Sequence, residues 1–161
     1  MHFEKVTAGQ FYADCPFENP YMIEECWEDI KLPTRSTENS AGYDFYIPFD
    51  ITIRPNEWVT IPTGIRWICN KPERDRVLLI APRSGLGFSY QTRLANTLGV
   101  VDSDYSNASN EGDIIIKMTA NERLRLKAGE KFCQGIIVPF FTCDDDDAIG
   151  ERVGGFGSTG R

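Results

Sequence analysis

The chain has 161 residues, of which 41% are hydrophobic and 25% charged, and its formal net charge is −7. That length and mixture fit one globular domain with a core of its own. A negative balance with no offsetting basic stripe argues against nucleic-acid binding, and no apolar run approaches the ~18 residues of a membrane-spanning helix.

Residues 1–30 are acidic and aromatic, with Phe11, Tyr12, Phe17, Tyr21 and Trp27. The opening MHFEKVTAGQFYADC has polar and acidic residues where a signal peptide needs an apolar centre, which points to a cytoplasmic chain. Apolar spacing over Met22 to Ile30 predicts one short helix with Ile23, Trp27 and Ile30 on one face. This stretch reads as an N-terminal extension packed on or beside the core, or meeting another subunit, without chemistry of its own.

From residue 31 to 143 the rhythm is that of a β domain. Pro33 and the run TRSTENS give a loop, and Tyr43 to Ile47 read as a strand. Ile51 to Ile53 precede a turn at Pro55-Asn56. Trp58 to Ile61 alternate before Pro62-Thr63-Gly64, and Ile65 to Cys69 follow, ahead of the charged turn KPERDR. Val77 to Ala81 form a continuous apolar run, as a buried strand does, ending at Pro82. Ile114 to Thr119 alternate, and Lys131 to Phe141 make a long hydrophobic strand. Short strands between Pro, Gly and Asn turns predict an all-β sandwich or jelly roll with at most one or two short helices. Residues 144–161 change character. Asp144 to Asp147 are four carboxylates in a row, which repel one another and read as a solvated loop. The glycine-rich GGFGSTGR closes the chain as a flexible arm.

Two absences narrow the chemistry. Cys15, Cys26, Cys69, Cys133 and Cys143 are odd in number, scattered and without a C-x-x-C pair, so they read as free thiols in a reducing compartment. The one histidine is His2, which rules out a Ser-His-Asp or Cys-His arrangement in the core. Carboxylates, hydroxyls, arginines and a hard metal ion remain.

Four stretches could use them. In PRSG, Arg83 can fork onto phosphate oxygens, Ser84 can donate its hydroxyl and Gly85 lets a ligand approach the backbone. In GVVDSDY, Asp102 follows an apolar pair and could orient a water as general base, or DSD could simply be a turn. In AGYD, Asp44 at a strand start could reach a magnesium ion directly or through water, or serve a turn. The tail glycines, with Ser158, Thr159, Arg152 and Arg161, have the composition of an anion cradle or of a disordered end, and Phe156 is out of place in the latter.

Taken together and in this order, AGYDFY, APRSGLG, NTLGVVDSDY, GEKFCQGIIVPF and RVGGFGSTG resemble the five motifs of the trimeric dUTPase family, over roughly residues 30 to 161. The resemblance implies a distorted jelly-roll barrel of the β-clip kind with a mobile C-terminal arm. It implies Mg2+-assisted hydrolysis of dUTP to dUMP and pyrophosphate, which limits uracil in DNA and supplies dUMP for thymidylate synthesis. Asp102 would hold the water that attacks the α-phosphorus. Tyr105 would pack on the deoxyribose and exclude a 2′-hydroxyl, and Asn96 would read the uracil edge in a tight β-hairpin. Arg83, Ser84, Gly85 and Gln134 would hold the phosphates. Phe156 would cover the base, with Arg152, Gly157, Ser158 and Thr159 at the γ-phosphate, and Asp44 would stand near the metal through water. The subunits would form a homotrimer with sites at their interfaces, Arg83 facing a neighbour's Asp102.

Two features depart from the commoner family pattern and are similar to a subgroup found in bacteria and their phages. SNASNEG intervenes after Tyr105, and Arg152 stands one residue nearer to Phe156. Two other readings share these residues. One is a dCTP deaminase-related enzyme on the same fold, against which the PRSG and Asp102 signatures speak. The other is a dUTPase-like protein that binds an unknown regulatory partner through residues 1–30 or SNASNEG.

Overall fold

The computed structural model describes residues 1–17, 19–70, 75–150, 152 and 154. Its eleven strands are β1 (His2–Lys5), β2 (Gly42–Tyr46), β3 (Ile51–Ile53), β4 (Val59–Pro62), β5 (Ile65–Ile68), β6 (Arg76–Pro82), β7 (Arg93–Leu94), β8 (Gly99–Val101), β9 (Ile115–Thr119), β10 (Leu124–Leu126) and β11 (Lys131–Pro139). They form a four-stranded sheet in the order β2-β11-β6-β8, a three-stranded sheet β4-β9-β7, and the pairs β1-β5 and β10-β3. Each of these pairings is antiparallel. The architecture is the mostly β fold expected from the strand rhythm and fits the jelly-roll barrel that the resemblance implies.

The long apolar runs became the centre. β11 lies between β2 and β6, with Gly135 opposite Tyr43 on one side and Ile80 on the other. A Cβ on Gly135 would stand 2.8 Å from Leu78 and 3.0 Å from Phe45, so two neighbouring strands close over a position that only glycine fits. Phe45, Leu78, Ile80, Phe132 and Cys133 are buried around it.

Three short helices accompany the strands, one more than the sequence led us to expect. They are α1 (Ala8–Asp14), α2 (Pro20–Glu28) and α3 (Ser84–Tyr90). The helix expected over Met22 to Ile30 starts two residues earlier. Asn19 caps it by accepting from the Tyr21 N–H at 3.1 Å, and Pro20 takes the first turn, where its missing N–H costs nothing. α3 escaped notice because its seven residues include Gly85 and Gly87, both poor helix formers. It ends at Gln91 in the left-handed region, with φ 50°.

Part of the N-terminal segment docks on the core. β1 pairs with β5, and Val6, Phe11 and Ile23 are buried. Gly64, at φ +66°, permits this docking, because a Cβ there would strike Ile30 and Phe11. Lys5 Nζ binds the last carbonyls of α2, Trp27 at 2.9 Å and Glu28 at 2.8 Å, where a cation also meets the negative end of the helix. Cys15, Cys26, Cys133 and Cys143 are free thiols.

Candidate functional site

Of the described expected site residues, all but Gly85 line one of two clefts, which share no lining residue.

The first cleft lies where the two larger sheets meet. β8 pairs with β6, β7 pairs with β9, and the connecting turn carries Asn96. The strands flanking Asn96 therefore pair with different sheets and not with each other, which corrects the expected tight hairpin. Thr97 adopts φ 63°, its N–H bonding the Leu94 carbonyl at 3.1 Å, and Ala95 N–H binds the Lys117 carbonyl at 2.9 Å. Ile80, Leu94, Val101, Ile114 and Ile116 give the cleft an apolar floor, and it has a volume of about 200 Å³. Asn96, Asp102, Tyr105 and Arg152 supply polar groups and the aromatic wall. Asp102 follows the last residue of β8 and is exposed. Three residues on, Tyr105 starts a short 3-10 turn and is buried. Its hydroxyl lies above the usual tyrosine range because burial disfavours the phenolate, which keeps it a hydrogen-bond donor.

Arg152 stands in this cleft. Its terminal nitrogen is bonded to the Asp102 carboxylate, its Nε donates to Asp104 at 2.8 Å, and its guanidinium sits 5.6 Å from the centre of the Tyr105 ring. The resemblance placed Arg152 at a γ-phosphate, whereas here it is the counter-ion of the candidate water-orienting carboxylate. Phe156, Gly157, Ser158 and Thr159 lie outside the described residues.

The second cleft gathers the expected phosphate residues. Arg83, Ser84, Gln134 and Asp44 line it together with Ser36, Ser40 and Gly42. The register does this: Gln134 on β11 pairs with Asp44 on β2 and with Ala81 on β6, so the strand end that carries Arg83 arrives beside both. Gly42 makes room, since a Cβ there would stand 2.6 Å from Gln134 Oε1. Arg83 occupies the N-cap position of α3 without a side-chain capping bond, and Ser84 and Gly85 form its exposed first turn, where backbone N–H groups have no acceptor within the helix.

Asp44 is buried, and its oxygens are taken. Arg83 Nε approaches Oδ1 at 3.0 Å, and Lys131 Nζ and the Ser36 hydroxyl each approach Oδ2 at 2.8 Å. Burial opposes its charge, but the hydrogen bonds from Lys131 and Ser36 and the charge of Arg83 outweigh it and hold the carboxyl below its ordinary value. Asp44 thereby anchors Arg83. Ser36 and Lys131 were missed from the sequence. The one available signal was that Lys131 lies in the same GEKFCQ stretch as Gln134.

Comparison with known proteins finds sequence relatives and solved structures of the same fold. A family model described as dUTPase matches residues 28–160. The deoxyuridine 5′-triphosphate nucleotidohydrolase of Lactococcus lactis is 38% identical over 136 residues, covering 81% of this chain and 89% of that protein. The protein of the same name from Hahella chejuensis is 36% identical over 141 residues, covering 82% and 88%. Among solved structures, the dUTPase from Streptococcus mutans superposes with a TM-score of 0.66 at 30% identity, over 89% of this chain and 99% of that one. A mutant dUTPase from phage phi11 of S. aureus, described with a structural Mg(II) ion, shares the fold at a TM-score of 0.62 and 19% identity, over 76% of this chain and 92% of that one.

Proposed function

The chain belongs to the dUTPase family and hydrolyses dUTP to dUMP and pyrophosphate, and we propose that Asp102 orients the attacking water for that reaction. The observation that carries this reading is Asp102 standing exposed at the rim of an apolar-floored cleft that also holds Asn96 and Tyr105. A carboxylate in that place can hold a water by a hydrogen bond and take its proton as general base. The water oxygen bonds to the α-phosphorus, the bond to the bridging oxygen breaks with its electron pair leaving on pyrophosphate, and the carboxylate takes the water proton. Positioning and charge neutralisation account for most of the acceleration in such transfers.

Asn96 faces the base and Tyr105 the deoxyribose. Arg83, Ser84, Gly85 and Gln134 hold phosphate oxygens, with Asp44 fixing the Arg83 side chain. The two sets of residues line separate clefts of one chain, so the working site joins the Asp102 cleft of one subunit to the Arg83 cleft of its neighbour in a homotrimer. The arm, through Arg152, Phe156, Gly157, Ser158 and Thr159, closes over the bound triphosphate.

Mg2+ is the cofactor of this reading, but the residues do not fit a resident metal centre. Among the described residues no three His, Cys, Asp or Glu side chains cluster, and both oxygens of Asp44 already face cations. A magnesium ion would take its ligands from the triphosphate and water.

The test is pyrophosphate release from dUTP, dTTP, dCTP and UTP by the wild-type protein and by Asp102→Asn, with nucleotide binding followed by calorimetry. The expected result is selective turnover of dUTP and an Asp102→Asn variant that binds dUTP but does not hydrolyse it. Turnover near the wild-type rate in that variant would remove Asp102 from the mechanism.

A further inference from the structure

Tyr105 is held in place from outside the family motifs. Its hydroxyl donates to the Asp113 carbonyl at 3.2 Å and accepts from Asn110 Nδ2 at 3.3 Å. Asn110 Nδ2 also donates to that carbonyl at 3.1 Å, and its Oδ1 accepts from the Gly112 N–H at 3.3 Å. Asn110, Glu111 and Gly112 end the SNASNEG insertion. The loop doubles back sharply here. Glu111 lies at φ 56° and Gly112 at φ 78°, and a Cβ on Gly112 would meet the Ser106 backbone at 2.7 Å. A non-glycine residue keeps such a conformation only when its surroundings impose it.

The N-terminal segment does so. Both Glu111 carboxylate oxygens are used on one residue: Oε2 accepts from the Thr7 N–H at 2.8 Å and Oε1 from the Thr7 hydroxyl at 2.7 Å. Thr7 caps α1, its Oγ1 accepting from the Gln10 N–H. The other end of α1, Asp14, lies beside the Asp113 carboxyl group, which also accepts from the Gly64 N–H at 2.9 Å. Both ends of one helix are thus fixed to the segment that carries the bonds to the Tyr105 hydroxyl.

We propose that Glu111 is a positioning residue for sugar discrimination: through Thr7 it fixes the insertion, and the insertion fixes the Tyr105 ring. The proposal rests on the assignment of Tyr105 to the deoxyribose. A wall excludes a 2′-hydroxyl only while it cannot retreat. The Tyr105 hydroxyl is the handle by which the ring is kept forward, and Asn110 grips it from a loop whose shape depends on Glu111.

The experiment is steady-state kinetics with dUTP and UTP for wild type, Glu111→Ala, Glu111→Gln, Asn110→Ala and Tyr105→Ala. A purely structural role for Glu111 would lower the melting temperature and leave the ratio of kcat/KM for the two substrates unchanged. The expected result for Glu111→Ala is a fall in that ratio of roughly tenfold, arising mainly from better use of UTP. Glu111→Gln, which can still accept from the Thr7 N–H, should recover most of it. If Glu111→Ala fails to fold, Asn110→Ala, which removes the donor to the hydroxyl together with the Asn110 contacts to Asp113 and Gly112, carries the same expectation. A wild-type ratio in the folded Glu111→Ala or Asn110→Ala protein alongside a reduced ratio in Tyr105→Ala overturns the proposal. A wild-type ratio in Tyr105→Ala overturns the sugar assignment itself, and the proposal with it.

Discussion

Arg152 is bonded to Asp102 while its Nε holds Asp104 at 2.8 Å, so the residue expected to meet phosphate neutralises the residue expected to meet water. A guanidinium on that carboxylate competes with the water for its lone pairs, and binding of a triphosphate gives Arg152 another anion to engage. Arg152→Ala should lower kcat/KM for dUTP by roughly tenfold to a hundredfold, because a charge-assisted contact to phosphate is lost. The same change should alter stability by no more than ~1 kcal/mol, since Asp102 is exposed and such pairs are screened by water. Steady-state kinetics beside thermal unfolding checks both. A large drop in melting temperature would instead make the pair a structural clasp.

Asp44 offers a contrast, being buried and flanked by cations. Asp44→Asn keeps the shape but removes the charge that holds Arg83 and Lys131. The KM for dUTP should rise by about tenfold as Arg83 loses its fixed orientation. A depressed carboxyl value means that the stabilisation is present above the ordinary carboxylate range and is lost as pH falls through the depressed value. Acid unfolding of the wild type should therefore show a component that Asp44→Asn lacks. Urea midpoints measured from pH ~6 down to ~3 test the sign.

Asp113 behaves in the opposite way. Burial, first, and the neighbouring Asp14 raise its carboxyl value well above the ordinary range, so the folded protein keeps a proton there that the unfolded chain has released. Stability is fully present at low pH and declines as pH rises from the ordinary carboxylate range through the raised value. Asp113→Asn supplies an N–H toward Asp14 and still accepts from the Gly64 N–H. Its melting temperature should vary less than that of the wild type between pH ~5 and ~9 and should exceed it at the alkaline end. Parallel curves for the two proteins would sink the idea.

Gly42 and Gly135 make a paired test of site against core. Alanine at Gly135 would press on Leu78 and Phe45 inside the sheet, and should destabilise the fold by about 1–3 kcal/mol. At position 42 the new methyl group meets only the end of the Gln134 side chain, which can swing away. Gly42→Ala should keep its stability yet bind dUTP more weakly, as measured by calorimetry and unfolding on the same samples.

How legible this was in the sequence depended on range. β6 and β11 could be read directly, since continuous apolar residues between turn signals leave few other structures. β1 and β10 could not: HFEK and LRL are too short to show a period, and they become strands only by pairing with β5 and β3. α3 was hidden by its two glycines. The motif residues were recognised through resemblance, which located Asp102, Tyr105 and Arg83 but not their partners. Asp44 comes from the middle of β2, Arg83 from just past the end of β6 and Lys131 from the start of β11, and Thr7 meets Glu111 across 104 positions. Such contacts are products of strand register and docking, and no local pattern encodes them.

The separation of the two clefts has a consequence for mixtures of damaged chains. A chain carrying Asp102→Asn keeps a sound phosphate side, and a chain carrying Arg83→Ala keeps a sound water side. Each is expected to be inactive by itself. In the proposed homotrimer, the two chains unfolded together and refolded should regain part of the wild-type rate, because wherever an intact Asp102 cleft abuts an intact Arg83 cleft one whole site exists. Two defects that are each fatal alone would then complement each other within one particle.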